Sequence, residues 1–388
     1  MDRGVAMFKR ILKNLLALFL GCLAGLLLVE IALRLYNPVE QRVKGNRIVL
    51  PVNRRYELVN RDIPGIPGRI VHTKNGLGFR GPEKPLAGYD STLSVIAVGG
   101  STTECVYLPD GSDWPSLVAD SLKRSFDRFW MNNAGLDGHS TYGHSVLLND
   151  YIIRLRPKVV LFLVGANEIN NEVSSGFEAS HVRGRILTSS LESFLKSLSA
   201  HSELASLLLN FYRYWRARSQ GLPHAIVRLK TAPAVRYPGP DLPAVLKMHS
   251  ERFIPAYRKR LEALIGLCRA NRILPVLVTQ PSLYGPGVDP ATGRDMASVL
   301  AGDRSGYDQW KILELYNDTT RRLASGDSVF LVDLAVRMPR NSLYFYDYLH
   351  YTMAGSRVVA GIVCSGLLPY LRGRFPDRIL TRAETARR

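Results

Sequence analysis

Apolar residues along this chain fall into two kinds of pattern. The first is one long block near the start. Leu15 to Val29 is almost wholly apolar and continues as Glu30-Ile-Ala-Leu-Arg34-Leu-Tyr36. From Leu15 to Leu35 it has the length of a helix that crosses a bilayer. The second kind is a series of short runs without polar alternation: Val95 to Val98, Phe129 to Met131, Val159 to Val164, Leu274 to Val278 and Val329 to Val332. Such runs read as strands buried on both faces. Helical stretches such as Pro255 to Ala270 and Tyr307 to Leu323 separate them. The alternation predicts an α/β fold, a parallel sheet of about five strands with helices on both faces, preceded by an N-terminal transmembrane helix.

The segments between these elements set the domain organisation. Residues 1–36 form the cytoplasmic N-terminus and anchor. Residues 37–90, rich in Pro, Gly and Arg, read as an extended stalk or an irregular cap. Within them, Asn75-Gly-Leu-Gly-Phe79-Arg80-Gly-Pro-Glu83 reads as a turn that anchors an incoming strand by one aromatic, a contact of Arg80 with the active site being the lesser alternative. The sheet domain then covers 91–371 and carries a long excursion over about 172–250. Leu191, Phe194, Leu195 and Leu198, then Leu204, Leu207, Leu208, Phe211 and Trp215, recur there at helical spacing. Two readings stay open: a helical hairpin packed on the sheet domain, or a lid or membrane-lying element, with Arg213, Arg216 and Arg218 at its end. Residues 372–388 are a basic tail.

Charge refines the anchor. Arg3, Lys9, Arg10 and Lys13 precede the apolar block, which keeps that end in the cytoplasm. Glu30 and Arg34 stand one helical turn apart and can pair near the far interface, with Tyr36 in the headgroup belt. A cleaved signal peptide is the alternative, but no small-x-small site follows the block. Gly21-Cys22 is a poor lipoprotein box, because Phe19 fits badly and the apolar run continues past the cysteine. The expectation is an uncleaved single-pass protein of a bacterial inner membrane, with its catalytic domain periplasmic or extracellular. Over the 388 residues, Lys and Arg exceed Asp and Glu by 51 to 33. The surplus suits anionic partners such as lipids and acidic polymers, and its scatter gives no nucleic-acid motif. There is no Walker A loop, His-Glu-x-x-His or Cys-x-x-Cys. Cys22 lies in the anchor, and Cys105, Cys268 and Cys364 lie in apolar surroundings of the exported part, which predicts buried free thiols rather than a disulfide framework.

Polar residues with chemical potential cluster where four of the strands end. Gly99-Gly100-Ser101-Thr-Thr follows the first strand. Asn133-Ala-Gly-Leu-Asp-Gly138 follows the second, Gly165-Ala-Asn167-Glu168 the third, and Asp347-Tyr-Leu-His350 the fifth. In a parallel sheet these loops lie at one edge and can converge. Acyl transfer needs such a set. A serine hydroxyl is a weak nucleophile that requires a base, which His350 supplies. Asp347 can accept from the other ring nitrogen and hold its tautomer. The Ser101 N–H, the Gly138 N–H and the Asn167 amide are candidate oxyanion donors, each contributing roughly 3 kcal/mol. Taken singly, each has a structural alternative: a Gly-Ser turn, a glycine that relieves a turn, a helix-capping asparagine, a surface Asp-His pair. His139 and His144 are rival bases, with only Asp150 at useful spacing.

Together the four blocks, in this order, resemble the SGNH or GDSL-like hydrolase superfamily over about residues 91–371. The resemblance implies a flavodoxin-like sheet and Ser-His-Asp catalysis on ester bonds by Ser101, Asp347 and His350. It implies an oxyanion hole from Ser101, Gly138 and Asn167, and no metal or cofactor. Two departures stand out. Gly100 occupies the place of the Asp in the family's name motif, and Glu168 that of an Asp after the block-three Asn.

The expectation is a membrane-anchored serine ester hydrolase acting on an ester-bearing substrate, such as an acylated cell-envelope polysaccharide or a lipid, with acetyl groups on a glycan as the first choice. The close alternative is an O-acyltransferase that passes the acyl group to a sugar hydroxyl. The contrasting alternative is a non-catalytic binding module on the same fold.

Overall fold

The computed structural model describes residues 2–37, 43–44, 47–169, 197–219 and 229–380. The chain divides into two compact units, Met1–Val49 with Arg183–Leu222, and Leu50–Val182 with Pro223–Arg388. Of the 172–250 excursion, residues 172–196 and 220–228 lie outside the described residues.

The larger unit is built on five parallel strands. These are β1 (Leu93–Gly99), β2 (Phe129–Asn133), β3 (Val159–Val164), β4 (Leu274–Thr279) and β5 (Phe330–Val332), in spatial order β5-β4-β3-β1-β2. Numbered along the chain this is 2-1-3-4-5, the flavodoxin-like order, as the resemblance implied. All five apolar runs therefore form strands, with ends that differ from the sequence reading by up to two residues. In register, Ala97 faces Leu161, which faces Val276, which faces Phe330. Period-two alternation divides these runs between two faces. Val95, Ala97, Leu161, Leu163, Val276 and Val278 share a buried cluster with Val118, Leu122, Val359, Val363 and Leu367. Those partners sit on α2 (Trp114–Leu122) and α6 (Met353–Arg374). The other face carries Ile96, Val98, Val160, Phe162 and Leu277, also buried. Helices α4 (Ile254–Ala270) and α5 (Gly306–Gly326) each pack on β4, and α4 packs on α5. The apolar stripe of α6 is thus core packing against the sheet, although the helix is long enough to cross a membrane.

Residues 50–81 belong to this unit. An antiparallel pair, Arg54–Val59 with Arg69–Lys74, leads to Phe79 and Arg80, both buried. The Arg80 backbone exchanges two hydrogen bonds with Asn133 (2.9 and 2.8 Å), covering the outer edge of strand β2 at its buried C-terminal end. Its guanidinium donates to the carbonyls of Glu104 (2.8 Å), Cys105 (2.7 Å) and Leu108 (2.8 Å) and lies 3.4 Å from the buried Asp113. Arg80 is a structural pin for the loop behind Ser101. At the other end, residues 125–127 pair with 378–380, and 381–388 lie outside the described residues. The four cysteines are free thiols; Cys105 and Cys268 are buried as expected, Cys364 on α6 is only half-buried, and Cys22 is exposed on the first helix.

In the smaller unit the first helix, α1 (Asp2–Leu35), has no buried residue from Met7 to Leu35 and is long and apolar enough to cross a membrane. It packs with helix α3 (Glu203–Ser219).

Removing the Arg80 charge leaves the buried Asp113 carboxylate without its counter-charge and takes a charged donor from three carbonyls. Arg80→Met is expected to cost about 3–5 kcal/mol, read as a lower urea midpoint of the full chain in detergent. Arg69→Met, at an exposed pair, leaves that midpoint unchanged.

Candidate active site

β1 ends abruptly at Gly99, and Ser101 opens a four-residue helix, Ser101–Glu104, closed by Cys105 in the left-handed conformation (φ 52°). As a first helical residue, Ser101 has a backbone N–H with no intrahelical partner. Thr102 fixes the turn from the far side. Its carbonyl accepts from Trp114 Nε1 (3.1 Å), and its hydroxyl donates to Gln280 Oε1 (3.0 Å) at the end of β4.

The loop after β5 delivers the imidazole. Asp347 Oδ1 accepts the backbone N–H groups of Leu349 (2.8 Å) and His350 (2.7 Å), an Asx turn that folds the loop back on itself. Asp347 Oδ2 pairs with His350 Nδ1 at 2.6 Å, and His350 Nε2 lies 2.7 Å from Ser101 Oγ. The Tyr346 ring stacks on His350 with centroids 5.5 Å apart. Asp347 is buried, which by itself would raise its pKa. The bond from the His350 ring, that ring's charge and the two backbone N–H groups outweigh burial and hold the carboxyl below its ordinary range.

The third and second strand ends supply amides. Asn167 Nδ2 donates to the His139 carbonyl at 2.9 Å, and Gly138 turns the preceding loop with φ 74°. Gly100 is explained by this contact. A Cβ at residue 100 would stand 2.3 Å from Asn167 Nδ2 and 3.1 Å from the His139 oxygen, so a side chain there displaces the asparagine. Glu168 is explained as well. Its buried carboxylate accepts from the Thr141 N–H (2.6 Å), the Thr141 hydroxyl (2.9 Å) and Arg260 Nη2 (2.8 Å). It therefore ties the Asn167 turn to the start of the helix Thr141–Leu147, two residues from the carbonyl that orients Asn167.

The structure thus brings Ser101, Asp347 and His350 into one hydrogen-bonded line. Gly100, Ser101, His139 and Asn167 line a recess of about 300 Å³ counted to its open mouth. His144 also lines it, deeply buried, and burial lowers its pKa to about 4, so it is neutral near pH 7. A second recess of about 180 Å³ lies between Ser101, Tyr107, Tyr346 and His350. Sequence reading missed Gln280, because the fourth strand end carries no block of the motif. Its place directly after an apolar run was the only signal. Among the described residues no group of three His, Cys, Asp or Glu side chains could hold a metal ion.

Two expected outcomes follow from this geometry. In Gly100→Ala the Asn167 amide turns away and its bond to His139 is lost, which a crystal structure of the variant reads directly. The depressed Asp347 pKa stabilises the fold above the unfolded value of about 3.9, and that contribution is lost as pH falls through the native value. The stability gap between the protein and Asp347→Asn therefore narrows below about pH 4 in urea titrations. A gap that widens there would contradict the assignment.

The GDSL-like Lipase/Acylhydrolase family model matches residues 97–358. No curated protein matches the sequence. Solved structures similar to this chain include the acetyl xylan esterase AlAXEase, at 17% identity and TM-score 0.39, covering 70% of this chain and 98% of that one. Axe2, an acetylxylan esterase from Geobacillus stearothermophilus, is similar at 13% identity and TM-score 0.40, covering 71% and 93%. A GDSL-like lipase from Bacteroides thetaiotaomicron is similar at 13% identity and TM-score 0.37, covering 74% and 93%. With its model spanning all four strand-end blocks, the chain belongs to the GDSL-like lipase/acylhydrolase family of ester-hydrolysing enzymes.

Proposed function

We propose that the protein is a membrane-anchored serine esterase that removes short acyl groups, with acetyl on a cell-envelope glycan as the substrate class. The observation that carries the reading is the line from Asp347 through His350 to Ser101, at 2.6 and 2.7 Å. Ser101 Oγ attacks the acyl carbonyl while His350 Nε2 takes its proton. The imidazolium so formed is stabilised by Asp347, which stays ionised. The Ser101 N–H, the Gly138 N–H and the Asn167 amide, oriented by its bond to His139, donate to the developing oxyanion. His350 returns the proton to the leaving alcohol, then activates a water that releases the acid and frees Ser101.

The two recesses beside Ser101 are small, about 300 and 180 Å³ counted to their mouths. That supports a short acyl chain and an extended alcohol side. The apolar stretch of α1 from Leu15, preceded in the same helix by Lys9, Arg10 and Lys13, supports an anchor with a cytoplasmic N-terminus and the esterase on the far side of a bacterial inner membrane.

The test is hydrolysis of 4-nitrophenyl acetate by the full chain in detergent. Ser101→Ala and His350→Ala each lose at least about 1,000-fold in kcat, and the double variant is no worse than either, since the two act as a unit. Gly100→Ala loses on the order of 100-fold through displacement of one oxyanion donor. Added glucose leaves acetate release unchanged for a hydrolase and diverts acetyl to the sugar for an acyltransferase. Unchanged activity in Ser101→Ala would end the serine mechanism.

A further inference from the structure

The smaller unit holds a carboxylate in an awkward place. Glu30 lies inside the apolar helix α1, five residues before its end at Leu35. A charge in such a segment is costly in lipid unless it is matched, and here it is matched fully. Its two oxygens accept from Ser202 Oγ (2.8 Å), the backbone N–H groups of Glu203 (3.0 Å) and Leu204 (3.0 Å), and Arg34 Nε (2.8 Å). Ser202 precedes α3, and Glu203 and Leu204 begin it. Glu30 thus caps that helix from another element, satisfying N–H groups that a helix start leaves without partners. Three further ties lead to the same point. Arg34 donates to the His201 carbonyl (2.7 Å), Asn37 Nδ2 to Glu203 Oε2 (3.3 Å), and Lys44 pairs with Glu203.

The helix held this way is two-sided. Ala205, Ser206 and Leu209 are buried, whereas Leu208, Phe211 and Tyr212 are 54%, 67% and 44% exposed. The last three recur at i, i+3 and i+4, so they form one apolar stripe. Its occupant follows from continuity with α1. At 1.5 Å per residue, Glu30 lies about 7 Å along the axis from Leu35, close to the thickness of one headgroup layer. A helix pinned at Glu30 therefore starts at the level where α1 leaves the hydrocarbon.

We propose that α3 is an interfacial helix whose Leu208–Phe211–Tyr212 stripe sits in the lipid bilayer, with Glu30 fixing the depth at which it starts. The Glu30 clamp makes anchor and interfacial helix one membrane-bound piece. Leu and Phe facing the acyl boundary and Tyr at headgroup level are the side chains such a helix uses. The inference rests on reading α1 as a membrane-crossing anchor.

The experiment uses the full chain, with Cys22 and Cys364 replaced by Ala, in vesicles of phosphatidylcholine and phosphatidylglycerol. One environment-sensitive nitrobenzoxadiazole label is attached in turn at Phe211→Cys, at Phe19→Cys in the anchor, and at Leu86→Cys, which is fully exposed in the larger unit. Nitroxide-bearing lipids serve as quencher. The expected result is blue-shifted emission at 211 and quenching several-fold stronger than at 86. In Glu30→Ala the quenching at 211 falls while that at 19 is retained. Quenching at 19 with a solvated label at 211 would overturn the interfacial helix and leave the anchor standing. A label at 19 that escapes the quencher would overturn the anchor, and this inference with it. Undiminished quenching at 211 in Glu30→Ala would overturn the clamp.

Discussion

Everything at the candidate site depends on how closely three loops approach one another at the carboxyl edge of the sheet. β2, β1 and β3 are neighbours, and adjacent strands lie less than about 5 Å apart. A helical turn is wider than that spacing. The loop carrying Ser101 can rise between its neighbours only where they lack side chains. Gly135 meets the Ser101–Glu104 helix backbone to backbone, with room for a Cβ only 2.3 Å from the Glu104 nitrogen. Gly100 abuts the side-chain amide of Asn167, where a Cβ would stand 2.3 Å from its nitrogen. The two glycines let the hydroxyl, the Gly138 loop and the asparagine share one small space.

Close approach alone does not hold the loops, and here the structure uses buried charge. Glu104 pairs with Lys74 at 2.8 Å and accepts the Asp137 N–H at 2.6 Å, beside Gly138. Arg80 grips the carbonyls behind Ser101 and neutralises Asp113, which also accepts from Asn133 and caps α2. Glu168 and Arg260 bind the Asn167 turn to α4 and to the start of the helix Thr141–Leu147. Buried pairs of this kind add little net stability over apolar packing, but breaking one is costly. Their value here lies in fixing loop positions. The pairs surround the site and leave the Ser101 hydroxyl to His350.

Much of this was legible in the sequence, for a physical reason. Strands buried on both faces must be continuous apolar runs, so Val159–Val164 declared itself. Side chains able to do acyl-transfer chemistry are restricted in type, so Ser101, Asn167, Asp347 and His350 stood out at strand ends, and the structure brings them to one recess or hydrogen-bonded line. What was hidden depends on contacts distant in sequence. Residues 37–90 read as an extended stalk or an irregular cap because Arg80 and Phe79 carry no periodicity, and their packing shows only against partners such as Asn133, Glu104 and Asp113. Glu168 reads as a neighbour of Asn167 until Arg260, 92 residues on, is placed beside it. Gly100 is a departure from the family motif, and the Asn167 amide packed against it gives that departure a physical reason. Glu30 and Arg34 were legible as a pair, but the helix start they hold lies about 170 residues away.

The account stands or falls on Ser101 as the activated nucleophile. The most direct measurement is treatment of the full chain with a fluorophosphonate, followed by peptide mass spectrometry. The prediction is a single adduct on Ser101 that disappears when His350 is replaced by Ala. An adduct at another serine, or undiminished labelling without His350, would contradict it.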